Sequence, residues 1–345
     1  MTELVNASIQ NNTGVLELNR PRALNSLNQE MIDGIHQALD QWRDNDEVEQ
    51  VLIYAPERGF CAGGDVRTAR ERLLEGKDDE VRRFFVDEYA MNNAIATYPK
   101  PYIALIDGVA MGGGLGVSAH GSHRIITDKA FAAMPEMAIG YIPDVGVTYM
   151  TQRMVGKRGQ ASPAVAAFIG LAGYHLKPED MIWTGLATHF VPSEKADELR
   201  EAIIAKGVEE ALAEYATDLD CEGSTIKRYI EEIEECFGES SWDKIASAID
   251  KHQGSEFYDF IQELIAPACP TSLVAAAEVY NANQHVQSVR EALDNELAVG
   301  TMAYQHPNFV EGVRAVLVDK DRNATFEPTS TAEVDPQPYR DALEH

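Results

Sequence analysis

The sequence is poor in cationic side chains and lacks long apolar runs. It has 29 lysines and arginines against 56 aspartates and glutamates, which gives a formal net charge of −27. Such a charge disfavours nonspecific binding to nucleic acid or to an anionic membrane surface, since both are themselves anionic. No stretch approaches the roughly 20 apolar residues that a membrane-spanning helix needs. We therefore expect neither nucleic acid nor a membrane among the partners of this chain.

Cysteine is also scarce, and the four cysteines are widely spaced at positions 61, 221, 236 and 269. They form no CxxC pair, and no histidine lies near them at metal-ligand spacing, so we expect no metal site. This pattern predicts reduced thiols, as in a cytosolic compartment. The opening MTELVNASIQNN resembles neither a secretory leader nor a transit leader. We expect a cytoplasmic protein, or a mitochondrial matrix protein if a transit peptide has been removed.

The first part of the chain alternates strand-like and helical patterns. Short apolar runs over residues 15–18, 51–54 and 102–106 predict strands. Apolar residues at helical spacing predict helices over residues 31–42 and 79–97. This order favours an α/β core.

After about residue 195 acidic helical patterns such as TIKRYIEEIEECF dominate, and strand-like runs nearly vanish. We therefore divide the chain into an α/β core over residues 1–195 and a mostly helical C-terminal region over residues 196–328. Residues 329–345 have few apolar groups and are expected to form a poorly ordered or surface-laid tail.

Two glycine-rich turns follow predicted strands, FCAGGDV at residues 60–66 and AMGGGLG at residues 110–116. Backbone N–H groups in such turns can approach a phosphate or an oxyanion closely. An ordinary tight turn or close packing of a helix on a sheet would use the same glycines. A strict GxGxxG is absent, and the looser form at Gly114, Gly116 and Ala119 is weak evidence, so we disfavour dinucleotide binding.

A third motif, MPEMAIGYIPDVG at residues 134–146, sets Glu136 and Asp144 among mostly apolar residues. Carboxyl groups in such surroundings are candidates for a raised pKa and for acid–base chemistry. The alternative is an acid on a surface turn, and composition alone favours that alternative for Asp144.

Taken in order, these motifs and the opening NRPRALNSLN at residues 19–28 resemble the crotonase superfamily of enoyl-CoA hydratases and isomerases. The resemblance implies a spiral of repeated strand-strand-helix units with a helical C-terminal region. It also implies that the N–H groups of Gly64 and Gly113 form an oxyanion hole for a thioester carbonyl. The expected partner is a small-molecule acyl-CoA, so coenzyme A is part of the substrate and no other cofactor is needed. Crotonases commonly assemble through C-terminal helices, which makes a homo-oligomer a further expectation.

The resemblance also bears on the reaction. The second glutamate of the hydratases would fall at Gly116, which disfavours hydration by two carboxylates. The pair Glu136 and Asp144 resembles that of 3-hydroxyisobutyryl-CoA hydrolases, but also that of dienoyl-CoA isomerases. Four further stretches resemble the hydrolases and extend the match through about residue 328: FFVDEYAMNN, GLATHFVP, CPTSL and FVEGVRAVLVDKD. Val147 and Thr148 stand where those hydrolases usually have glycine, so the shape of the pocket is expected to differ.

The implied reaction is hydrolysis of a short 3-hydroxyacyl-CoA, as in valine degradation. Glu136 would act as nucleophile or as general base for water. Asp144 would bind the substrate hydroxyl or orient Glu136, and Glu88 matches a substrate-contacting glutamate of the hydrolases. Isomerisation or hydration of an enoyl- or dienoyl-CoA, and acyl-CoA binding without turnover, stay open as alternatives.

An acidic chain needs local cations or N–H groups to hold the phosphates of coenzyme A. The sequence does not rank the candidates, and each of them could equally be an ordinary solvated charge. The candidates are Arg20, Arg22, Arg58, Arg67, Arg314 and Lys320.

Overall fold

A computed structural model describes residues 3–56 and 59–344 of the protein. The strands within these residues are β1 (Val5–Gln10), β2 (Thr13–Leu18), β3 (Gln50–Tyr54), β4 (Tyr102–Ile106), β5 (Val109–Met111), β6 (His123–Ile126), β7 (Phe131–Ala133) and β8 (His189–Phe190). Six of them form a sheet in the order β1-β2-β3-β4-β6-β8. The pair β1-β2 is antiparallel, and the other pairs are parallel. Strands β5 and β7 form a second, parallel sheet.

The helices surround these sheets and make up nearly all of the C-terminal region. The α-helices are α1 (Gln29–Arg43), α2 (Val66–Leu74), α3 (Asp78–Ala96), α4 (Gly113–Gly116), α5 (Val147–Met150), α6 (Pro163–Leu171), α7 (Pro178–Thr184), α8 (Ala196–Lys206), α9 (Val208–Tyr215), α10 (Thr225–Arg228), α11 (Ile230–Phe237), α12 (Trp242–Asp250), α13 (Glu256–Ile265), α14 (Pro270–Asn283), α15 (Val289–Gln305), α16 (Pro307–Val313) and α17 (Gln337–Leu343). Single turns of 3₁₀-helix lie at Pro21–Ala23, Glu136–Ile139, Ser193–Lys195 and Thr331–Glu333, and a π-helical turn lies at Arg314–Val318.

Successive turns of the chain build two stacks side by side. Each turn adds a strand to the main sheet and then an extended segment to a second stack. In that second stack Leu27 bridges Gly64, Cys61 bridges Ala110, and β5 pairs with β7. This is the spiral of strand-strand-helix units that the sequence predicted. Its consequence is that equivalent turns of successive units, including the two glycine-rich turns, become neighbours.

Helix α1 illustrates how local sequence positions an element on the sheet. The Asn28 side chain accepts a hydrogen bond from the N–H of Met31 at 3.0 Å and caps the helix. The apolar residues of α1 recur at helical spacing and are buried, as predicted. At the end of the helix the Trp42 ring packs against the backbone at Gly14, where a Cβ atom would lie 2.5 Å from the ring. Only glycine at this position lets α1 approach the sheet so closely.

Both faces of the main sheet are buried, which explains why its strands read as continuous apolar runs. Side chains such as Leu16 and Ile53 face the larger core, towards α1 and α3. Their neighbours Val15 and Leu52 face the opposite side, because successive side chains of a strand alternate. Helices α8 and α9 cover that second face with apolar side chains such as Leu199.

The C-terminal helices pack onto the site-bearing half of the core. Helix α14 packs against α6, and α15 packs against α3. Helix α17 lies against both α14 and α15. Its Arg340 guanidinium donates to both carboxylate oxygens of Glu278, at 2.7 and 3.0 Å. Residues 337–343 therefore lie on the surface and are anchored to the buried helix α14.

None of the helices in the described part of the chain is long and apolar enough to cross a bilayer by itself. Helices α13 and α14 reach that length and composition only as a pair, and they are bent by 108° relative to each other. The apolar side chains of α14 are buried in the core.

Candidate active site

The two glycine-rich turns lie side by side. The N–H of Cys61 donates to the carbonyl of Val109 at 2.8 Å, and the N–H of Met111 donates to the carbonyl of Cys61 at 3.0 Å. A Cβ atom on Gly113 would lie 3.1 Å from the backbone nitrogen of Gly64. Gly64 and Gly113, which are 49 positions apart in the chain, are therefore direct neighbours.

The backbone N–H groups of these two glycines have no acceptor among the residues that the structure describes. Gly113 is the first residue of α4, where an α-helix leaves its N–H groups without intrahelical partners. Across residues 3–56 and 59–344, no oxygen accepts a hydrogen bond from the N–H of Gly64 or of Gly113. Two free donors stand next to each other, one of them at the positive end of a short helix.

Two carboxyl groups approach this backbone closely because it carries no side chains. A Cβ atom on Gly112 would lie 2.6 Å from Oε1 of Glu136, and one on Gly113 would lie 2.6 Å from Oε1 of Glu88. Gly112 also has φ +47°, a conformation that favours glycine. The glycine run thus serves the approach of acidic side chains as well as the turn itself.

Glu136 opens the 3₁₀ turn that follows β7 and Pro135, and only 7% of it is exposed. Its Oε2 atom is buried and has no partner in the described residues. Burial raises the pKa of this carboxyl well above its usual value, and the nearby charges of Asp144 and Glu88 raise it further. Glu136 is therefore a buried carboxyl that holds its proton more tightly than a solvated surface acid does.

Asp144 is buried on the turn that leads into α5, so the surface-turn alternative for this residue is wrong. The Tyr89 hydroxyl donates to its Oδ2 atom at 2.6 Å, and the hydroxyls of Tyr89 and Tyr141 lie 3.2 Å apart. Burial raises the pKa of Asp144 to about 7, although hydrogen bonds from Tyr89 and Tyr141 act in the opposite direction. The two phenols stabilise the ionised form of this carboxyl.

Glu88 lies beside Tyr89 on α3 and is also buried. Its Oε1 atom has no partner in the described part of the chain. Burial raises the pKa of Glu88 well above its usual value, and the charge of Asp144 raises it further. The structure thus brings together all five residues that the sequence analysis proposed: Gly64, Glu88, Gly113, Glu136 and Asp144.

The turn after Asp144 is strained and is held by a residue that sequence reasoning missed. Val145 has φ +55°, which is unusual for a β-branched residue, and Gly146 has φ +77°. The buried carboxylate of Glu296 on α15 accepts from the Gly146 N–H at 2.7 Å and from the Thr148 hydroxyl. His120 Nε2 lies 2.7 Å from the carbonyl oxygen of Val145. A strained backbone persists only where the surrounding contacts hold it in place, and here the contacts of Glu296 and His120 do so.

Asn92, one helical turn after Glu88, is the second residue that sequence reasoning missed. It is fully buried, and a Cβ atom on Gly116 would lie 2.7 Å from its Nδ2 and 2.9 Å from Cβ of Val145. The position where the hydratases were expected to carry a second glutamate is therefore filled by neighbouring side chains. The signal was present in FFVDEYAMNN, where Glu88 and Asn92 stand at i, i+4 on one helical face.

A groove of about 990 Å³ runs alongside the glycine-rich turns. Ala62 and Met111, each two residues before one of the free N–H groups, line it. The partly exposed side chains of Leu24 and Phe131 also line it. The groove thus connects solvent with the immediate surroundings of the two donors.

Within the described residues two cations border the groove, and neither was among the sequence candidates. Lys129 lies 3.6 Å from Asp107, and Arg200 lies 2.7 Å from Asp197.

None of the candidate cations within the described residues lines the groove. Arg20 binds Asp65 at 2.8 Å, and Arg314 binds three acids on its own segment. Arg67 pairs with Glu71 on α2 at 3.7 Å. Arg22 and Lys320 are exposed. Arg58 lies outside the described residues.

A comparison of the sequence with models of known protein families identifies the family of this chain. The family model described as enoyl-CoA hydratase/isomerase matches residues 13–343. The chain belongs to the enoyl-CoA hydratase/isomerase family. The resemblance to crotonases that the motifs indicated is therefore confirmed.

Within this family, the chain is similar to curated relatives that are named as hydrolases. It is 36% identical to the mitochondrial 3-hydroxyisobutyryl-CoA hydrolase of Gallus gallus, over 94% of this chain and 84% of that protein. It is 38% identical to the enzyme of the same name from Danio rerio, over 94% of this chain and 85% of that protein. The predicted closeness to the hydrolases is confirmed over nearly the whole chain, including the C-terminal third.

Solved structures confirm the predicted fold. A carnitinyl-CoA dehydratase from Mycobacterium thermoresistibile matches this crotonase with a TM-score of 0.90 and 35% identity, over 100% of this chain and 97% of that one. An enoyl-CoA hydratase from Rhodobacter sphaeroides 2.4.1 matches with a TM-score of 0.87 and 30% identity, over 99% and 97% of the two chains.

Proposed function

We propose that this protein hydrolyses the thioester of a short 3-hydroxyacyl-CoA, giving the free acid and coenzyme A. The observation that carries the proposal is the pair of N–H groups at Gly64 and Gly113, which have no acceptor among the described residues, beside a Glu136 carboxyl whose Oε2 has no partner there either. The similarity to 3-hydroxyisobutyryl-CoA hydrolases supports hydrolysis over the other reactions of the family. It also suggests 3-hydroxyisobutyryl-CoA as the substrate and valine degradation as the pathway.

The two N–H groups would bind the thioester carbonyl oxygen. Attack on the carbonyl carbon places negative charge on that oxygen, and two preorganised donors stabilise it. Removing one such donor typically costs on the order of 100- to 1,000-fold in rate. The helix end at Gly113 adds a favourable dipole at the same point.

The groove at Ala62 and Met111 would hold the coenzyme A portion of the substrate. Its apolar lining suits the pantetheine chain and the adenine ring, while Lys129 and Arg200 could exchange their carboxylate partners for phosphate oxygens. These two cations would counter the global negative charge of the chain locally.

Glu136 must be ionised to act, and its raised pKa makes the ionised form a stronger base or nucleophile. As a nucleophile it would attack the carbonyl carbon and expel the CoA thiolate, which leaves a mixed anhydride that water then cleaves. As a general base it would take a proton from the water that attacks the same carbon. Both routes consume one water, release coenzyme A and regenerate the carboxylate, and neither needs a metal or a redox cofactor.

Asp144 would control the ionisation of Glu136 through its own charge. Its ionised form, held by the Tyr89 hydroxyl, favours a proton on neighbouring Glu136 and so keeps the pKa of Glu136 high. With Gly116 closed off by Asn92 and Val145, no second carboxylate is available there to hydrate a double bond. This arrangement favours hydrolysis over hydration.

The test is a thiol-release assay with 3-hydroxyisobutyryl-CoA and 3-hydroxypropionyl-CoA, followed together with ultraviolet absorbance. We expect one thiol released per ester consumed. An absorbance change without thiol would indicate a hydratase or isomerase, in which Glu136 moves a proton. Saturable binding with neither signal would indicate an acyl-CoA-binding protein.

A single turnover in ¹⁸O-labelled water would test the nucleophilic role of Glu136. If Glu136 is the nucleophile and water cleaves the anhydride at the Glu136 carbonyl, the label enters the Glu136 carboxylate and the first product is unlabelled. If Glu136 is the general base, or if water cleaves the anhydride at the acyl carbon, the label enters the product, so label in Glu136 establishes the nucleophilic role. Mass spectrometry of the peptide that contains Glu136 reads the difference.

A further inference from the structure

The side chain of Asn92 is buried and finds no hydrogen-bond partner in the described part of the chain. None of it is exposed, and neither Oδ1 nor Nδ2 has a partner within residues 3–56 and 59–344. The buried amide of Gln152 is different, because its Nε2 donates to the carbonyls of Thr148 and Tyr280. Burying an amide with both of its polar ends unpaired is costly, and such groups are rare in folded proteins. The unpaired amide of Asn92 therefore suggests that a bound ligand supplies its missing hydrogen bonds.

Asn92 is on α3 and packs against α4, the short helix that begins with the proposed oxyanion donor Gly113. Its Nδ2 would be 2.7 Å from a Cβ atom on Gly116, just as Oε1 of Glu88 would be 2.6 Å from a Cβ atom on Gly113. Glu88 and Asn92 are one turn apart on α3, and Gly113 and Gly116 are about 4.5 Å apart along α4. The amide is therefore one helical turn from the point where the thioester carbonyl would bind.

The chemistry of the unpaired atoms indicates what they would bind. An amide offers a donor at Nδ2 and an acceptor at Oδ1, and a hydroxyl group needs one of each. Asp144 is less suited to this task, because its Oδ2 already accepts from Tyr89 at 2.6 Å.

We propose that Asn92 binds the 3-hydroxyl group of the acyl chain and thereby determines the preference of the site for 3-hydroxyacyl thioesters. This inference rests on the proposed hydrolase function. Nδ2 donates to the hydroxyl oxygen, and the hydroxyl hydrogen is donated to Oδ1. An acyl chain without the hydroxyl leaves both ends of the amide unpaired, which penalises the wrong substrate.

The test compares Asn92→Leu with the wild-type protein on 3-hydroxyisobutyryl-CoA and on isobutyryl-CoA, which lacks the hydroxyl. Leucine has a similar size but no polar atom. We expect kcat/KM for the hydroxyacyl ester to fall roughly 10- to 100-fold, while that for isobutyryl-CoA is unchanged or rises. The ligand-free variant should melt no lower than the wild type, because an unpaired amide has been removed. Asn93→Leu, a half-buried neighbour on the same helix, is the matched control.

Unchanged discrimination between the two esters in Asn92→Leu would overturn the inference. An equal loss on both esters together with a lower melting temperature would also overturn it, because that pattern indicates a structural role. Calorimetric binding of both esters to each variant keeps the two proposals separate. If the wild type releases no thiol, the hydrolase proposal fails, and the loss or retention of the binding preference in Asn92→Leu still decides the role of Asn92.

Discussion

The hydroxyl of Tyr89 lies 2.6 Å from Oδ2 of Asp144, deep inside the protein. The phenol belongs to α3, and the carboxyl belongs to the strained turn before α5. This bond stabilises the charged form of an acid whose burial opposes ionisation. The charge of Asp144 raises the pKa values of Glu88, Glu136 and Glu296. The hydrogen bond from Tyr89 therefore influences the ionisation of all four carboxyls.

Tyr89→Phe should shift the pH dependence of thiol release. Loss of the donor raises the pKa of Asp144 above its value of about 7, so Asp144 is less charged at a given pH and raises the pKa of Glu136 less. Activity needs ionised Glu136 and falls as pH is lowered, so this acidic limb of kcat/KM should move down by about one pH unit. The control is Tyr149→Phe, which removes a phenol that binds the carbonyl of Gln287 instead. An unmoved limb in Tyr89→Phe would contradict the role assigned to this bond.

Glu136→Gln should nearly abolish thiol release while binding of the CoA ester persists. The amide keeps the shape of the side chain but can neither attack the carbonyl nor accept a proton, and we expect a loss of about 100- to 10,000-fold in kcat. Stopped-flow thiol release and calorimetry give the two readings. Glu235→Gln on the exposed surface is the matched control, and full activity in Glu136→Gln would remove this residue from the mechanism.

Glu296→Gln should flatten the dependence of stability on pH. The pKa of Glu296 is raised from 4.5 to about 8 by burial, so unfolding in this window releases a proton. Its contribution to stability is therefore full below pH 4.5 and is lost as pH rises towards 8, by at most about 5 kcal/mol. Glutamine cannot ionise, and its amide can still bind the Gly146 N–H and the Thr148 hydroxyl.

The measurement for Glu296 is chemical denaturation between pH 5 and 8.5. The free energy of unfolding should fall more steeply with pH in the wild type than in Glu296→Gln. Comparing the two proteins cancels the self-repulsion of this acidic chain. Glu291→Gln changes an exposed acid on the same helix and should leave the wild-type slope intact. If the free energy of unfolding depends on pH in the same way in all three proteins, the raised pKa of Glu296 does not contribute to the pH dependence of stability.

Gly116→Ala should destabilise the protein. The new Cβ atom would lie 2.7 Å from Nδ2 of Asn92 and 2.9 Å from Cβ of Val145, so the neighbours must move. Overpacking of this kind costs about 1–3 kcal/mol in the free energy of unfolding. Gly223→Ala is the control, because the nearest atom would be 3.9 Å away. Equal denaturation midpoints for the two variants would show that the site has more room than these distances indicate.

Local pattern was enough to predict much of the core. The strand at Tyr102–Ile106 was predicted to the residue, and the helix over residues 79–97 was displaced by one residue at each end. Both are buried elements whose apolar spacing carries the signal. The five candidate site residues stand in contiguous motifs, and the resemblance of those motifs to crotonases and to the hydrolases among them is what made these residues candidates.

Other parts of the site could not be found this way. Glu296 lies in EALDNELAV, which reads correctly as helix, but the periodicity of a helix does not say which distant loop an acid on it will bind. Its partner Gly146 is 150 positions away. Lys129 and Arg200 reach the groove for the same reason: the spiral brings together residues that no local spacing connects. The cellular compartment and oligomeric state of this chain stay predictions.

The bond between Glu296 and the Gly146 N–H also has a consequence for the order in which the enzyme is made. A ribosome delivers the glycine-rich turns, Glu136 and Asp144 long before it delivers α15, and domains fold as units as the chain emerges. Until residue 296 has emerged, the turn after Asp144 lacks the acceptor that holds its strained conformation. A nascent chain should therefore carry every proposed catalytic group and still be inactive, so that acyl-CoA chemistry begins only when the last sixth of the protein docks.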